Sequence, residues 1–123
     1  MSTAFWCVLA AGLLPYVATI LYKTRADFDN QHPRQWAKTL SGWRMRAHAA
    51  QQNSFEAFPL FAAAVFVAYA VHAPQPMIDL WSLCFVALRV AYLGAYLANA
   101  ATVRSLIWVA AMICIVRIFL AGT

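Results

Sequence analysis

Two residues of opposite charge, Glu56 and Arg89, each interrupt a long hydrophobic stretch of the sequence. A charge is costly inside a bilayer, so such groups usually face the interior of a helical bundle or a polar cavity. Counted from the nearest basic connection, Glu56 lies ~14 Å and Arg89 ~15 Å along its helix. Their matching depth and opposite sign predict a buried ion pair, which would fix helix register and could form the floor of a site.

Other polar residues share a helix face with Glu56. Arg46, Asn53 and Glu56 fall within about 80° on a helical wheel, and Gln51 stands in the same stretch. Asn53 lies some 9 Å along the helix, where an unpaired amide is unfavourable. Pro59 removes one backbone donor and is expected to kink the helix just past Glu56.

A second polar stripe begins at Arg89. Arg89, Tyr92 and Tyr96 have the spacing i, i+3, i+7 of one helix face, and the stripe leads towards Arg104. We therefore predict a polar wedge that opens towards the basic connections. The predicted wedge consists of Arg46, Asn53, Glu56, Arg89, Tyr92, Tyr96 and Arg104.

The elements that position these residues are predicted from composition. Of the 123 residues, 64% are hydrophobic and 11% are charged, against roughly 25% charged in an ordinary soluble domain. This excludes a small water-soluble enzyme. Stretches of 18 to 25 residues with few charges are long enough to cross a bilayer as helices. We predict a single domain, 1–123, an all-α bundle of four transmembrane helices at about 4–22, 47–71, 78–98 and 104–122.

The basic residues predict orientation. Six of the nine Lys and Arg residues lie in the first connection and Arg104 in the third, while the second connection and both tails have none. The positive-inside rule places the first and third connections in the cytoplasm and both termini outside. Most of the net charge of +5 then comes from residues that determine the orientation in the membrane, and a nucleic-acid partner is disfavoured. The three cysteines stand singly in apolar stretches and are expected to be core residues, with no metal site.

At this point the sequence resembles a known family. Residues 46–61, R-A-H-A-A-Q-Q-N-S-F-E-A-F-P-L-F, resemble the helix-two signature of the MAPEG family, the membrane-associated proteins of eicosanoid and glutathione metabolism. Residues 89–96, R-V-A-Y-L-G-A-Y, followed by R-S at 104–105, resemble its helix-three and helix-four motif. The resemblance covers essentially the whole chain, and the pattern looks like that of the bacterial members.

The resemblance implies a homotrimer in a bacterial inner membrane that binds glutathione between neighbouring subunits near the cytoplasmic face. It implies a lipophilic substrate, an electrophile or a peroxide, that arrives from the bilayer. Arg104 matches the arginine that lowers the thiol pKa, with Tyr96 beside it as a second catalytic group. The matched glutathione contacts are Arg46, Gln51, Asn53, Glu56, Arg89, Tyr92 and Tyr96, with Glu56 towards the amino end of glutathione.

The sequence departs from the eicosanoid-producing members at one position. Ala49 stands where those members have an arginine that binds a glutathione carboxylate, and Arg46, one turn earlier, is its nearest substitute. This departure leaves open a non-enzymatic protein that keeps the fold and uses its polar residues to lock the bundle. A small multidrug exporter is disfavoured, because helix one contains no acidic residue. Asp79 is expected to cap helix three, and Arg117 receives no role.

Overall fold

The computed structural model describes all residues from Met1 to Thr123 and is entirely helical apart from its connections. Four of its helices are long and apolar enough to cross a membrane, which confirms the predicted all-α chain with four spans. The elements are α1 (Thr3–Tyr22), α2 (Pro33–Ala37), α3 (Gly42–Ala70), α4 (Gln75–Leu97), α5 (Ala101–Phe119) and a final 3₁₀ turn (Leu120–Gly122).

Three helices begin earlier than the uncharged stretches indicated. α3 begins at Gly42, where the sequence suggested about 47, and α5 begins at Ala101, where it suggested about 104. The uncharged stretches mark only the hydrocarbon-crossing part, and α3 continues before that part through Arg44 and Arg46. α4 starts at Gln75 because Pro76 falls in its first turn, where proline lacks a donor that would be unpaired anyway.

Small residues allow the four long helices to approach closely. α1 packs on α3 and α4, α4 packs on α5, and α3 contacts both α4 and α5. Alanines dominate the contact faces, and small side chains of this kind let membrane helices pack closely. Phe61 and Phe85 stack at the centre with ring centroids 4.1 Å apart. Cys7 and Cys114 are buried in this core, as predicted.

Asp79 caps a helix other than its own. Its Oδ1 accepts a hydrogen bond from the backbone amide of Ala4 at 2.9 Å and one from Gln75 Nε2 at 2.8 Å. The prediction that Asp79 caps its own helix is therefore wrong. Asp79 lies one turn inside α4, after the first residues of that helix, whose backbone amides lack a partner within the helix. Its carboxylate instead contacts the N-terminus of α1.

The first connection contains a short helix that the sequence analysis did not anticipate. α2 begins at Pro33 and buries Trp36 against the end of α1. The Trp36 ring stacks on Tyr22 with centroids 6.4 Å apart and meets Phe28 edge-on at 4.9 Å. These contacts hold the connection against the bundle.

Hydrogen bonds add to this apolar cluster. Asp27 accepts from Arg25 at 2.5 Å and from Trp36 Nε1 at 3.3 Å. The hydrogen bond from Arg25 is the main cause that lowers the pKa of the Asp27 carboxyl, although this carboxylate is exposed. The first connection is thus fixed to the bundle through its aromatic side chains, and its polar side chains lie on the exposed side.

Candidate functional site

Arg89 occupies the centre of the bundle without an acidic partner. Its side chain is 2% exposed, and Nη2 donates to Asn53 Oδ1 at 2.7 Å and to Ser54 Oγ at 3.4 Å. Its Nη1 has no hydrogen-bond partner. The guanidinium is therefore held by neutral oxygens of α3.

The predicted ion pair between Glu56 and Arg89 is wrong. The only close contacts between basic and acidic side chains join Arg25 to Asp27 and His32 to Asp29, all in the first connection. Glu56 follows Asn53 by three residues, about 60° further round the helix. This rotation turns Glu56 away from α4, and its side chain is exposed. The depth of Arg89 along its helix thus correctly predicted a partner on α3. That partner is the Asn53 amide and not the Glu56 carboxylate.

Three aromatic contacts join Arg89 to Arg104 in a single line. The Arg89 guanidinium lies 4.1 Å from the Tyr92 ring centroid, and the Arg104 guanidinium lies 4.3 Å from the Tyr96 centroid. The two tyrosine rings meet edge-on at 5.7 Å. We call Arg89, Tyr92, Tyr96 and Arg104 the cation–tyrosine row.

The row changes from buried to accessible along its length. Tyr92 is 4% exposed, while Tyr96 and Arg104 are only half-buried. A positive charge over a ring face is stabilised electrostatically, more strongly where water is excluded. A small ligand can therefore reach Tyr96 and Arg104, while Arg89 and Tyr92 support them from inside.

Asn53 and Glu56 line a cavity of about 140 Å³ between α3 and α5. Trp108 and Met112 form its α5 wall. Trp108 comes one turn after Arg104, so the cavity and the accessible end of the row share one side of α5. Trp108 is not among the predicted site residues, although its i+4 spacing from Arg104 indicates the same helix face.

Arg46 and Gln51 are not brought to this cavity. Arg46 donates from Nε and Nη2 to the Leu97 carbonyl at 3.3 and 3.1 Å and so satisfies the C-terminus of α4. Gln51 accepts from the Tyr22 hydroxyl at 3.2 Å and donates to Thr19 Oγ1. Two residues turn a helix by about 200°, so Gln51 and Asn53 necessarily lie on nearly opposite sides of α3.

A second, larger cavity lies where α1 ends and α3 begins. Its volume is about 550 Å³, and three of its lining residues are cationic while none is acidic. Its cations are also the residues that set the predicted topology, so the sequence pattern alone does not indicate a cavity here. We call it the basic groove. It is lined by Tyr22, Lys23, Pro33, Arg34, Ala37, Lys38, His48, Gln51, Gln52 and Phe55.

Comparison with known proteins identifies the family. A sequence model described as the MAPEG family matches residues 3–123. The chain belongs to the MAPEG family. It is a MAPEG membrane protein with four apolar helices, as the sequence motifs predicted. Among curated proteins and solved structures, none matches this chain. No three His, Cys, Asp or Glu side chains are grouped closely enough to hold a metal ion.

Proposed function

We propose that this MAPEG protein binds reduced glutathione on the α3–α4–α5 face and transfers it to lipophilic electrophiles. The observation that supports this most directly is the Arg104 guanidinium over the half-buried Tyr96 ring, at 4.3 Å. A guanidinium carries five donors and a fixed positive charge, and a phenol adds a further donor. Together they favour an anionic sulfur atom at the accessible end of the cation–tyrosine row.

The proposed chemistry is nucleophilic substitution by a thiolate. A free thiol has a pKa near ~8.5, so a neighbouring cation raises the fraction of thiolate at neutral pH. The thiol proton leaves to water, and the sulfur electron pair forms a bond to an electrophilic carbon. The bond from that carbon to its leaving group breaks, and the leaving group departs with the bonding pair.

A peroxide substrate would use the same thiolate. The sulfur attacks one peroxide oxygen, the O–O bond breaks, and the released alkoxide takes a proton from water. A second glutathione thiol then converts the resulting sulfenic acid into the disulfide and water. None of the three cysteines of the chain takes part in either reaction.

The opposite end of glutathione is proposed to lie against Asn53 and Glu56. The carboxylate of Glu56 can accept hydrogen bonds from an ammonium group, and the NH₂ group of Asn53 can donate to a carboxylate. The cavity between these residues and Trp108 has a volume of about 140 Å³, below the ~300 Å³ of ordinary ligand pockets. It therefore holds one end of a tripeptide.

The small size of this cavity supports the proposal of a homotrimer. A neighbouring copy would cover the rest of the ligand, and Gln51 could reach it only from that neighbour. An apolar groove of about 290 Å³ continues from Leu60 past Ile115 to Phe119. We propose that lipophilic substrates reach the thiolate along this α3–α5 side.

The orientation in the membrane is also part of the proposal. The four basic residues between α1 and α3, the two in the first turns of α3, and Arg104 all lie at one end of the bundle, while the α3–α4 turn has no Lys or Arg. By the positive-inside rule, we propose that the accessible end of the row lies at the cytoplasmic face with both termini outside. The resemblance to bacterial members supports the proposal of a bacterial inner membrane. Water-soluble glutathione would enter from the cytoplasm.

The decisive experiment is the thiolate absorbance difference of glutathione with Arg104→Ala. We expect the thiolate signal of the wild-type protein to disappear while the elution volume of the detergent-solubilised oligomer is unchanged. Arg117→Ala is the matched control, because it removes an arginine of the same helix at the opposite end. A normal thiolate signal in Arg104→Ala would contradict the assignment.

One observation favours a second candidate, a non-enzymatic membrane protein with a structural polar core. Arg46 is engaged by the Leu97 carbonyl, and position 49 is alanine, so this part of α3 offers no free guanidinium. Calorimetry with reduced glutathione on the detergent-solubilised protein separates the two candidates. Absence of heat at millimolar glutathione would support the structural role.

A further inference from the structure

Pro15 lies in the middle of α1, where it interrupts the hydrogen bonding of the helix. Proline has no backbone N–H, so the carbonyl of Ala11, four residues earlier, lacks its usual α-helical donor. Both residues are buried, Ala11 with 5% of its surface exposed. In membrane helices, a carbonyl freed in this way is satisfied by a neighbouring helix, a hydroxyl side chain or an ordered water molecule.

A small cavity of about 10 Å³ lies at Ala11, where α1 meets α3 and α4. Ser54 of α3 and Arg89 of α4 supply its polar side chains. A volume of ~10–15 Å³ is sufficient for one water molecule. The remaining lining residues are apolar, namely Leu14, Ala57, Phe58 and Phe85.

Both polar side chains of this cavity have a donor to spare. Arg89 Nη1 is buried and has no hydrogen-bond partner in the protein, whereas Nη2 donates to Asn53 and Ser54. Ser54 Oγ accepts the bond from Nη2 at 3.4 Å, and its own O–H forms no hydrogen bond. A buried donor without an acceptor is costly, above all on a charged group. The residues around the cavity thus carry two free donors and, at Ala11, one free acceptor.

We propose that this cavity binds a single water molecule that bridges α1 to α3 and α4. The water accepts hydrogen bonds from Arg89 Nη1 and from the Ser54 hydroxyl group, and it donates to the Ala11 carbonyl. Three hydrogen bonds are the usual number for a buried water molecule. Pro15 then has a definite role, because it makes the Ala11 carbonyl available to the water.

The water site is separate from the proposed glutathione site. It lies on the α1 side of Arg89, whereas the cavity at Asn53 and Glu56 lies between α3 and α5. Its volume of about 10 Å³ cannot admit part of a tripeptide. The water is therefore bound without glutathione, and a failure of glutathione binding would not affect this proposal.

The test is NMR spectroscopy of the full-length protein in micelles, with ¹⁵N-labelled arginine and without glutathione. We expect a rotating-frame Overhauser cross-peak between water and the Nη1 protons of Arg89, with the sign of a bound water and not of proton exchange. A density map that resolves ordered water should show a peak within about 3.2 Å of both Arg89 Nη1 and the Ala11 carbonyl oxygen. Absence of both signals in the wild-type protein would overturn the proposal.

Pro15→Ala tests the role of the proline. Alanine restores a backbone donor for the Ala11 carbonyl and favours the helix, so the variant should fold. We expect the residence time of the water, measured by oxygen-17 relaxation dispersion, to fall about fivefold, as for the loss of one hydrogen bond between neutral groups. A residence time equal to that of wild type would show that the Ala11 carbonyl does not hold the water, and would overturn the bridge to α1.

Pro59→Ala is the matched control, because Pro59 interrupts α3 in the same way but frees the Phe55 carbonyl, and Phe55 does not line this cavity. We expect this variant to keep the residence time of wild type. An equal decrease in Pro15→Ala and Pro59→Ala would overturn the assignment, since the water would then respond to helix bending in general.

A small anion is the other ligand that a buried guanidinium could hold. Replacement of chloride by bromide in the buffer distinguishes the two ligands, because water is unaffected by the exchange. We expect the Arg89 Nη1 resonance to stay unchanged. A shift of this resonance with the halide would identify an anion and would overturn the proposal of a water molecule.

Discussion

Arg89 donates a hydrogen bond from Nη2 to Asn53 Oδ1 across 2.7 Å, and this contact determines which way the Asn53 amide faces. A guanidinium has donors and no acceptor, so the amide oxygen must point to Arg89. The NH₂ group of Asn53 is then turned to the cavity that it shares with Glu56. The buried Arg89 thus orients the Asn53 amide so that its NH₂ donor lies beside the Glu56 carboxylate, an acceptor, at the cavity surface.

The first prediction concerns the stability that this contact provides. Asn53→Ala leaves the buried guanidinium with only the longer hydrogen bond to Ser54, so we expect a loss of about 2 kcal/mol in the free energy of unfolding. Asn53→Asp keeps an acceptor and should lose less. Reversible unfolding in mixed micelles measures both. Gln52→Ala is the control, since this neighbouring amide is exposed and unbonded; equal losses in Gln52→Ala and Asn53→Ala would refute the account.

The second prediction separates the Tyr96 ring from its hydroxyl group. Tyr96→Phe keeps the ring beneath Arg104 and removes one donor from the proposed thiolate site. We expect the fold to persist and the bound thiolate fraction to fall about tenfold or more, as for loss of a hydrogen bond to a charged group. The ultraviolet absorbance of bound glutathione measures this thiolate fraction.

The control for this prediction is Tyr69→Phe, at the far end of α3, which should leave the thiolate fraction unchanged. A thiolate fraction in Tyr96→Phe equal to that of wild type would show that the hydroxyl has no role.

The third prediction is a pH dependence in the first connection. The hydrogen bond from Arg25 lowers the pKa of Asp27 in the folded protein. The unfolded chain then binds more protons than the folded one, so this stabilisation is complete above the ordinary Asp pKa of ~3.9 and is lost as the pH falls towards the folded value.

Thermal unfolding of wild type and Asp27→Asn between pH 3 and pH 6, a range chosen to bracket that value, tests this directly. We expect wild type to be more stable than the variant at the upper end and the difference to shrink below about pH 4. In an Arg25→Gln background the difference should be small throughout. A constant difference at every pH would show that the charge of Asp27 contributes nothing.

The fourth prediction concerns the link between Asp79 and the first helix. Asp79→Asn keeps an oxygen near the Ala4 amide but removes the negative charge, whereas Asp79→Ala removes both. We expect Asp79→Ala to lower the free energy of unfolding by about 1–2 kcal/mol and Asp79→Asn by less. Ser2→Ala, which removes the other side-chain cap of α1, provides a comparison at the same helix end. Equal stability of Asp79→Ala and wild type would contradict the assignment.

The periodicity of α4 was sufficient to predict its polar stripe. The spacing of Arg89, Tyr92 and Tyr96 predicted one stripe, and the structure joins them through adjacent rings to Arg104. Four spans followed from hydropathy alone. Both conclusions depend on features within one helix, where 3.6 residues per turn determine neighbours.

Contacts between helices were harder to predict. Depth along the helix correctly matched Arg89 to the middle of α3, but the choice of Asn53 over Glu56 depends on how α3 is rotated against α4. The same holds for Asp79, which finds its partner on α1, and for Arg46, which reaches the end of α4. The basic groove was missed because it requires the position of α2, a five-residue helix fixed by burial of Trp36.

The lone guanidinium of Arg89 has a consequence for biosynthesis. Released alone into the bilayer, α4 would place this cation in hydrocarbon at a cost of ~3 kcal/mol on insertion scales. α3 brings the acceptor oxygens of Asn53 and Ser54, and only Val71 to Pro74 separates the two helices. We therefore expect α3 and α4 to leave the translocon as a hairpin, and a glycosylation-mapping assay should show efficient insertion of α4 only when α3 precedes it.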